Sequence, residues 1–437
     1  MEPSPRRASV CTFRLQAGAA GLLAAVFAGT WLLQPPHSVA PFAVSAPAAP
    51  AVRQNSAPMF SSRFASSETD DFVHAASLAA LPGGDLFAVW FAGSDEGARD
   101  VHIRAARYSS RDGEWGAEQT IITPEATQQA TGKYIRKLGN PVVALAPDGR
   151  LWLFYVSVSI GGWATSSINL MHSADFGASW SAPRQLVTTP FANISTLVRS
   201  GPVFHADGSI GLPVYHELLG KFAEYLYLSP QGEVLDKFRI SNGNNTLQPV
   251  VIPLDGQRAL AMLRYAGEEH HRVMASRSED SGQTWSETYP LYPANPNSAL
   301  TAVTSADHGL LVALNDLTDG RFRLRLMKTD PALSQWTPVI DLDESPDPEG
   351  DPYAPDIYRA IIGDKFRLSS GPRRQKLLDD FLARLDQRMC NVHGCDFEYE
   401  YPFFARSADG RYHLVYSWNN TFIKHISFNE AWLRVNL

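Results

Sequence analysis

Residues 173–180 read SADFGASW and residues 278–285 read SEDSGQTW, so the pattern Ser-x-Asp-x-Gly-x-x-Trp is written twice. Asp and Gly favour a tight turn, and a buried Trp shortly after pins that turn to its own sheet. Looser copies stand at SSRDGEW (109–115) and KTDPALSQW (328–336). A turn repeated with free variable slots marks architecture, one turn per structural unit. Asp175, Trp180, Asp280 and Trp285 are therefore read as structural residues.

Working outward from these turns, short apolar runs recur: LFAVWFAG (86–93), LWLFYVSVS (151–159), RALAMLRY (258–265), LLVALND (310–316) and YHLVYSW (412–418). Most follow PGGD, PDGR, LDGQ or ADGR, and turn chemistry ahead of a β-branched or aromatic run is a hairpin signal. Strands of this length, in periods of roughly forty to sixty residues, fit the blades of an all-β propeller. Residues 341–396 break the rhythm. They open acidic and Pro-rich, DLDESPDPEGDPYAPD, and run into GPRRQKLLDDFLARLDQRM, where Leu378, Leu382, Leu385 and Met389 form a helical stripe. A helical insertion within one blade is expected there, covering a propeller face or meeting a protein partner.

The chain of 437 residues is 44% apolar, enough for one large core or two ordinary ones. A net charge of −7 argues against nucleic acid, which calls for a concentrated basic face. Arg6, Arg7 and Arg14 precede an uncharged stretch, residues 17–33, so export is expected. Residues 1–33 then form a cytoplasmic tail and signal anchor held in the inner membrane, or a signal peptide if the segment is cleaved and the protein secreted. Residues 34–59 read as a Pro/Ala-rich spacer and 60–437 as the propeller. Cys390 and Cys395 in CNVHGC form a small-loop disulfide if the domain lies outside the cytoplasm, or stay as two thiols. No metal or cofactor motif is present, and none is expected.

The two octapeptides resemble the Asp-boxes (BNR repeats) of the sialidase superfamily. Further stretches, WFAGSDEGARDVHI (90–103), LGNPVVALAPDGRLWLFY (138–155), LQPVVIPLDGQRALAMLR (247–264), NPNS (295–298) and YPFFARSADGRYHLVYSWNNTFIKHI (401–426), narrow the resemblance to the BNR-repeat sialidase-like branch. The resemblance implies a six-bladed β-propeller and a site for an acidic sugar. Sialidase chemistry needs arginines to hold the substrate carboxylate, a tyrosine nucleophile activated by Glu, and a separate acid for the leaving group.

Carried onto this sequence, the tyrosine is Tyr401. The arginines are Arg264 and Arg321, with Arg323 close to the latter, and the acid is Asp100 or Glu96. Two positions depart from the pattern: His74 stands where the first arginine belongs, and Gln248 where the activating glutamate does. Glu217 is the candidate to replace that glutamate. Asn140, His216 and Asn297, with Asn419, are further sugar-binding candidates, and Trp163 and Trp418 are candidate stacking platforms, with buried packing as the alternative for both. The expected function is a sialidase-like glycoside hydrolase acting on an acidic sugar or surface polysaccharide. Its rivals are a glycan-binding propeller without catalysis and a polysaccharide lyase using His74 and Tyr401.

Overall fold

The structure, a computed structural model, describes residues 17–29, 38–44, 57–189, 193–370 and 374–437. Two compact units divide it, residues 1–39 and 40–437. In the first, residues 17–29 are helical. No helix among the described residues is long and apolar enough to cross a membrane. The arginine-bearing residues 1–16 and the end of the expected anchor lie outside the described residues.

The second unit holds six antiparallel sheets of four or five strands. Their first strands lie at Phe72–Ala80, Lys137–Leu145, Leu197–Val198 with Val203–Phe204, Thr246–Pro253, Thr301–Thr304 and Tyr399–Arg406. Each touches the first strand of the next sheet, and the last touches the first, which closes a ring around one axis. This is a six-bladed β-propeller. Ring closure is made by the sixth blade, whose outer strand Phe60–Phe64 comes from the start of the unit and pairs antiparallel with Phe422–Phe428.

The repeated octapeptides join the third and fourth strands of blades two and four. Asp175 Oδ1 accepts from Ser179 N at 2.8 Å, and Gly177 N donates to Ser173 Oγ at 2.8 Å. Asp280 repeats this with Thr284 N at 2.8 Å, and Trp285 Nε1 donates to Gly282 O at 2.9 Å. Gly177 has φ 93°, and a Cβ there would lie 2.3 Å from the Phe87 ring of the neighbouring blade, so only glycine fits. Asp330 in KTDPALSQW caps the equivalent turn of blade five through Ser334.

Three expectations are corrected. The insertion lies between blades five and six rather than within one, and residues 341–344 belong to the outer strand Trp336–Glu344. It holds two helices, Pro355–Ser370 and Gln375–Arg388, where the sequence reading gave one. The spacer is partly docked. Phe42 is 3% exposed and packs on His205 with ring centroids 5.0 Å apart, while Ala43 N donates to Phe204 O at 2.8 Å. The expected helical stripe does face inward, with Leu378 and Leu385 fully buried. A disulfide joins Cys390 and Cys395.

The insertion packs on the closing blade. Phe64 stacks on Phe366 at 5.1 Å and meets Trp418 at 5.1 Å and Phe422 at 4.8 Å, while Phe381 lies 5.2 Å from Phe422. One aromatic cluster thus joins the first strand, the last blade and both helices. Phe64→Ala is expected to lower unfolding free energy by about 3–5 kcal/mol, read by urea denaturation. A loss under 1 kcal/mol would remove this cluster from ring closure. Asp280→Ala is expected to cost about 1–2 kcal/mol through the orphaned turn donors, whereas Glu279→Ala, on the exposed neighbour, leaves the midpoint unchanged.

Candidate functional site

Near the axis the backbone does the same unusual thing in every blade. Ala75, Asn140, Ser195, Gln248, Asn297 and Tyr401 all have φ between 44° and 56°. A non-glycine residue pays about 1–2 kcal/mol for that left-handed conformation. In four blades the strand register slips at the same place: between His74 and Ser77, Gly139 and Val142, Leu247 and Val250, and Glu400 and Phe403. Such bulges re-aim side chains. They bring residues far apart in sequence to one end of the axis.

The side chains form a connected network. Arg264 Nε donates to Asn297 Oδ1 at 2.7 Å, and its Nη1 reaches Gln248 Oε1 at 3.2 Å and the Tyr401 hydroxyl at 3.4 Å. Gln248 Nε2 and Asn140 Nδ2 both donate to the Tyr215 hydroxyl, at 3.5 and 3.1 Å. Arg321 Nη1 donates to Glu400 Oε1, and its Nη2 to Asn297 O at 3.1 Å. The other Glu400 oxygen lies 3.1 Å from His74 Nε2, and the His74 ring meets the edge of Tyr401 with centroids 4.4 Å apart.

Burial sets the charge states. It acts against an ionised Glu400, yet His74 and Arg321 outweigh it and hold this carboxyl below its usual range. Burial lowers the His74 imidazole while the Glu400 carboxylate opposes it, and Nε2 is the nitrogen that faces that carboxylate. His74 Nδ1 then has no partner among the described residues. Burial raises the Glu217 carboxyl, with Arg264 opposing. Glu398 is pushed up to about 7, first by burial and then by the charge of Glu400.

Tyr401, Arg264, Arg321, His74, Gln248, Asn140 and Asn297 therefore meet. Glu96 is exposed on the rim, and its charge acts on His74, Lys137 and Glu217. Asp100 is bound back into its own loop, accepting from Ser94 N at 3.1 Å and Ser94 Oγ at 3.0 Å. Trp163 lies beside the site: Lys137 Nζ sits 3.9 Å over its ring, and a Cβ on Gly139 would meet that ring at 2.8 Å.

Three candidates are structural instead. Trp418 is fully buried in the aromatic cluster, where no sugar reaches it. His216 stacks on Phe222 at 4.5 Å, and its Nε2 accepts from Leu219 N at 2.9 Å, so it holds its own loop. Asn419 likewise accepts from Glu398 N at 2.9 Å.

Sequence reasoning missed Glu400, Tyr215 and Lys137. A signal existed for Glu400. Acidic residues alternate with aromatics in FEYEYPFF (397–404), and a charge entering an apolar strand needs a cation, although Arg321 is distant in the chain.

With the geometry in place, comparisons with known proteins give the family. The model of the BNR repeat-like domain matches residues 84–414. The chain belongs to the BNR repeat-like family. Its fold is that of sialidases. The Hadza microbial sialidase Hz136 superposes with a TM-score of 0.60 at 15% identity, covering 84% of this chain and 66% of that one. The intramolecular trans-sialidase from Ruminococcus gnavus gives 0.58 at 14%, covering 86% and 98%. A Dyadobacter fermentans protein of unknown function gives 0.61 at 12%, covering 84% and 98%. No curated protein matches the sequence. Family membership accounts for the repeated turns and the blades.

Glu398 supplies a test of the electrostatics. Its carboxyl is raised in the fold, so its contribution to stability is present below the unfolded value of 4.5 and is lost as pH rises through about 7. Glu398→Gln should therefore gain stability relative to wild type on going from pH 4.5 to pH 8, by about 3 kcal/mol. Urea midpoints at the two pH values check this, and an unchanged difference would refute the assignment.

Proposed function

We propose that the axial site binds an acidic sugar and hydrolyses its glycosidic bond. The observation that carries this reading is the meeting of Arg264, Arg321 and the Tyr401 hydroxyl at one end of the axis. Arg264 Nη2 has no acceptor among the described residues, so this guanidinium can take a substrate carboxylate while Asn297 holds its Nε edge. Arg321 is already fixed by Glu400 and offers a second, more neutralised cation.

In this reading Tyr401 Oη attacks the anomeric carbon, and its proton passes to Glu217, which burial makes the more basic carboxylate. The bond to the leaving oxygen breaks as Glu96 donates a proton to it. Glu96 is preferred to Asp100, whose oxygens are engaged by Ser94. Water then releases the sugar from Tyr401, with Glu96 taking its proton and Glu217 restoring the phenol. Arg264 is the counter-charge of the phenolate. The N-terminal arginines and apolar stretch support placing this activity outside the cytoplasm.

A lyase reading has its own observation. His74, held by Glu400 at Nε2 and with no Nδ1 partner among the described residues, has the form of a base beside Tyr401. It would take the C5 proton next to a uronic carboxylate as the C4–O glycosidic bond breaks, with Tyr401 protonating the leaving oxygen, and leave a 4,5-unsaturated product.

One panel separates these readings. Fluorogenic glycosides of acidic sugars, headed by a sialoside, are offered to wild type, Tyr401→Phe and Arg264→Lys. Hydrolysis by wild type is expected to fall at least ~10²-fold in either variant, because the planar fork of Arg264 is not replaced by a point charge. Absorbance of an unsaturated uronide with no fluorophore released would select the lyase. Binding of the sugars without any product would leave a glycan-binding propeller in which Gln248 marks the lost base.

A further inference from the structure

Past the bulges, the inner strands continue along the axis and their far halves enclose a second space. Leu78, Val143, Leu145, Val250 and Phe403 are among the walls of a cavity of about 430 Å³. These positions follow the bulge in each blade, so the cavity lies on the opposite side of the bulges from the Arg264–Tyr401 network. The walls are mostly aliphatic and aromatic. Arg199 and Arg406 line the cavity, and no aspartate or glutamate does.

Arg199 is 3% exposed. Its Nη2 donates to Tyr401 O at 2.6 Å and Pro402 O at 3.4 Å, and its guanidinium stands 5.1 Å from the Tyr401 ring and 5.7 Å from that of Phe403. Arg199 Nε and Nη1 have no acceptor among the described residues, and neither has Arg406 Nη2. Burial pulls the Arg199 guanidinium down to about 10, opposed only weakly by neighbouring tyrosines. A buried cation without a counter-charge is costly, and native structures pair such groups. Carbonyl oxygens satisfy part of its hydrogen bonding but supply no net negative charge. The mechanism proposed for the other end of the axis uses neither arginine.

We infer that this cavity is an anion site, and that it takes a monocarboxylate with a small apolar body. The carboxylate lies toward Arg199 and Arg406, and the body lies against Leu78, Val143, Val250 and Phe403. The wall chemistry selects among anions. Sulfate and phosphate would lose their hydration against aliphatic side chains, whereas an aryl or short alkyl carboxylate buries apolar surface there.

The test titrates the full chain calorimetrically with 4-bromobenzoate and with formate. 4-Bromobenzoate is expected to bind in roughly the millimolar range or tighter, and formate, which lacks the body, at least ~10-fold more weakly. Arg199→Met should weaken 4-bromobenzoate at least ~10-fold, and Arg406→Gln, on the less buried arginine, several-fold. Arg264→Lys, across the bulges, leaves this binding within ~2-fold, which separates the site from the sugar site. Equal affinity for the two anions, or unchanged affinity in both cavity variants, would overturn the inference. Should Arg199→Met not fold, wild-type crystals soaked in 4-bromobenzoate decide it. A bromine anomalous peak between Leu78 and Phe403 supports the site, and bromine found only elsewhere refutes it.

Discussion

Six strands can converge on one axis only if their backbones leave room for side chains that point inward. This chain solves the problem the same way in each blade, with one non-glycine residue held in the left-handed region. That conformation is unfavourable alone, so the surrounding sheets must impose it. Its consequence is the site. His74, Asn140, Gln248, Asn297, Glu400 and Tyr401 all stand at such a position or beside one, and the polar network depends on that geometry. The same bulges also separate the two ends of the axis.

Within the network, Glu400 is the hinge of the electrostatics. It lies between His74 and Arg321, and the charge balance of the site passes through it. Where the resemblance calls for a first arginine, the chain has a histidine whose second nitrogen has no partner among the described residues. Where it calls for a carboxylate near the tyrosine, Gln248 instead joins Arg264 to Tyr215.

The helical insertion has a structural role. Its buried faces lie on the blade that closes the ring, where Phe64, Phe366, Phe381 and Phe422 share one cluster. Closure joins strands from opposite ends of the unit, and loop-closure entropy makes that pairing costly to form. Two helices stacked on the seam add apolar contacts where the ring is weakest. The disulfide Cys390–Cys395 lies just before the chain enters the last blade.

The sequence by itself determined the propeller. The octapeptides, the Asp-Gly turns and the apolar runs are local signals, since a turn and the strand beside it are read from neighbouring residues. It also singled out Tyr401, Arg264, Arg321, His74 and Gln248 as a group, through resemblance rather than periodicity. What only the tertiary structure decided is anything that joins distant blades. Trp418 reads as a possible platform until Phe64 and Phe381 are seen to bury it. Glu400 has no visible partner until Arg321 arrives from the neighbouring blade, and Arg199 has no visible lack of one until the axis closes around it. The physical reason is common to all three. Charge pairing and burial depend on distance in space, and in a propeller the residues that share the axis are a blade or more apart in sequence.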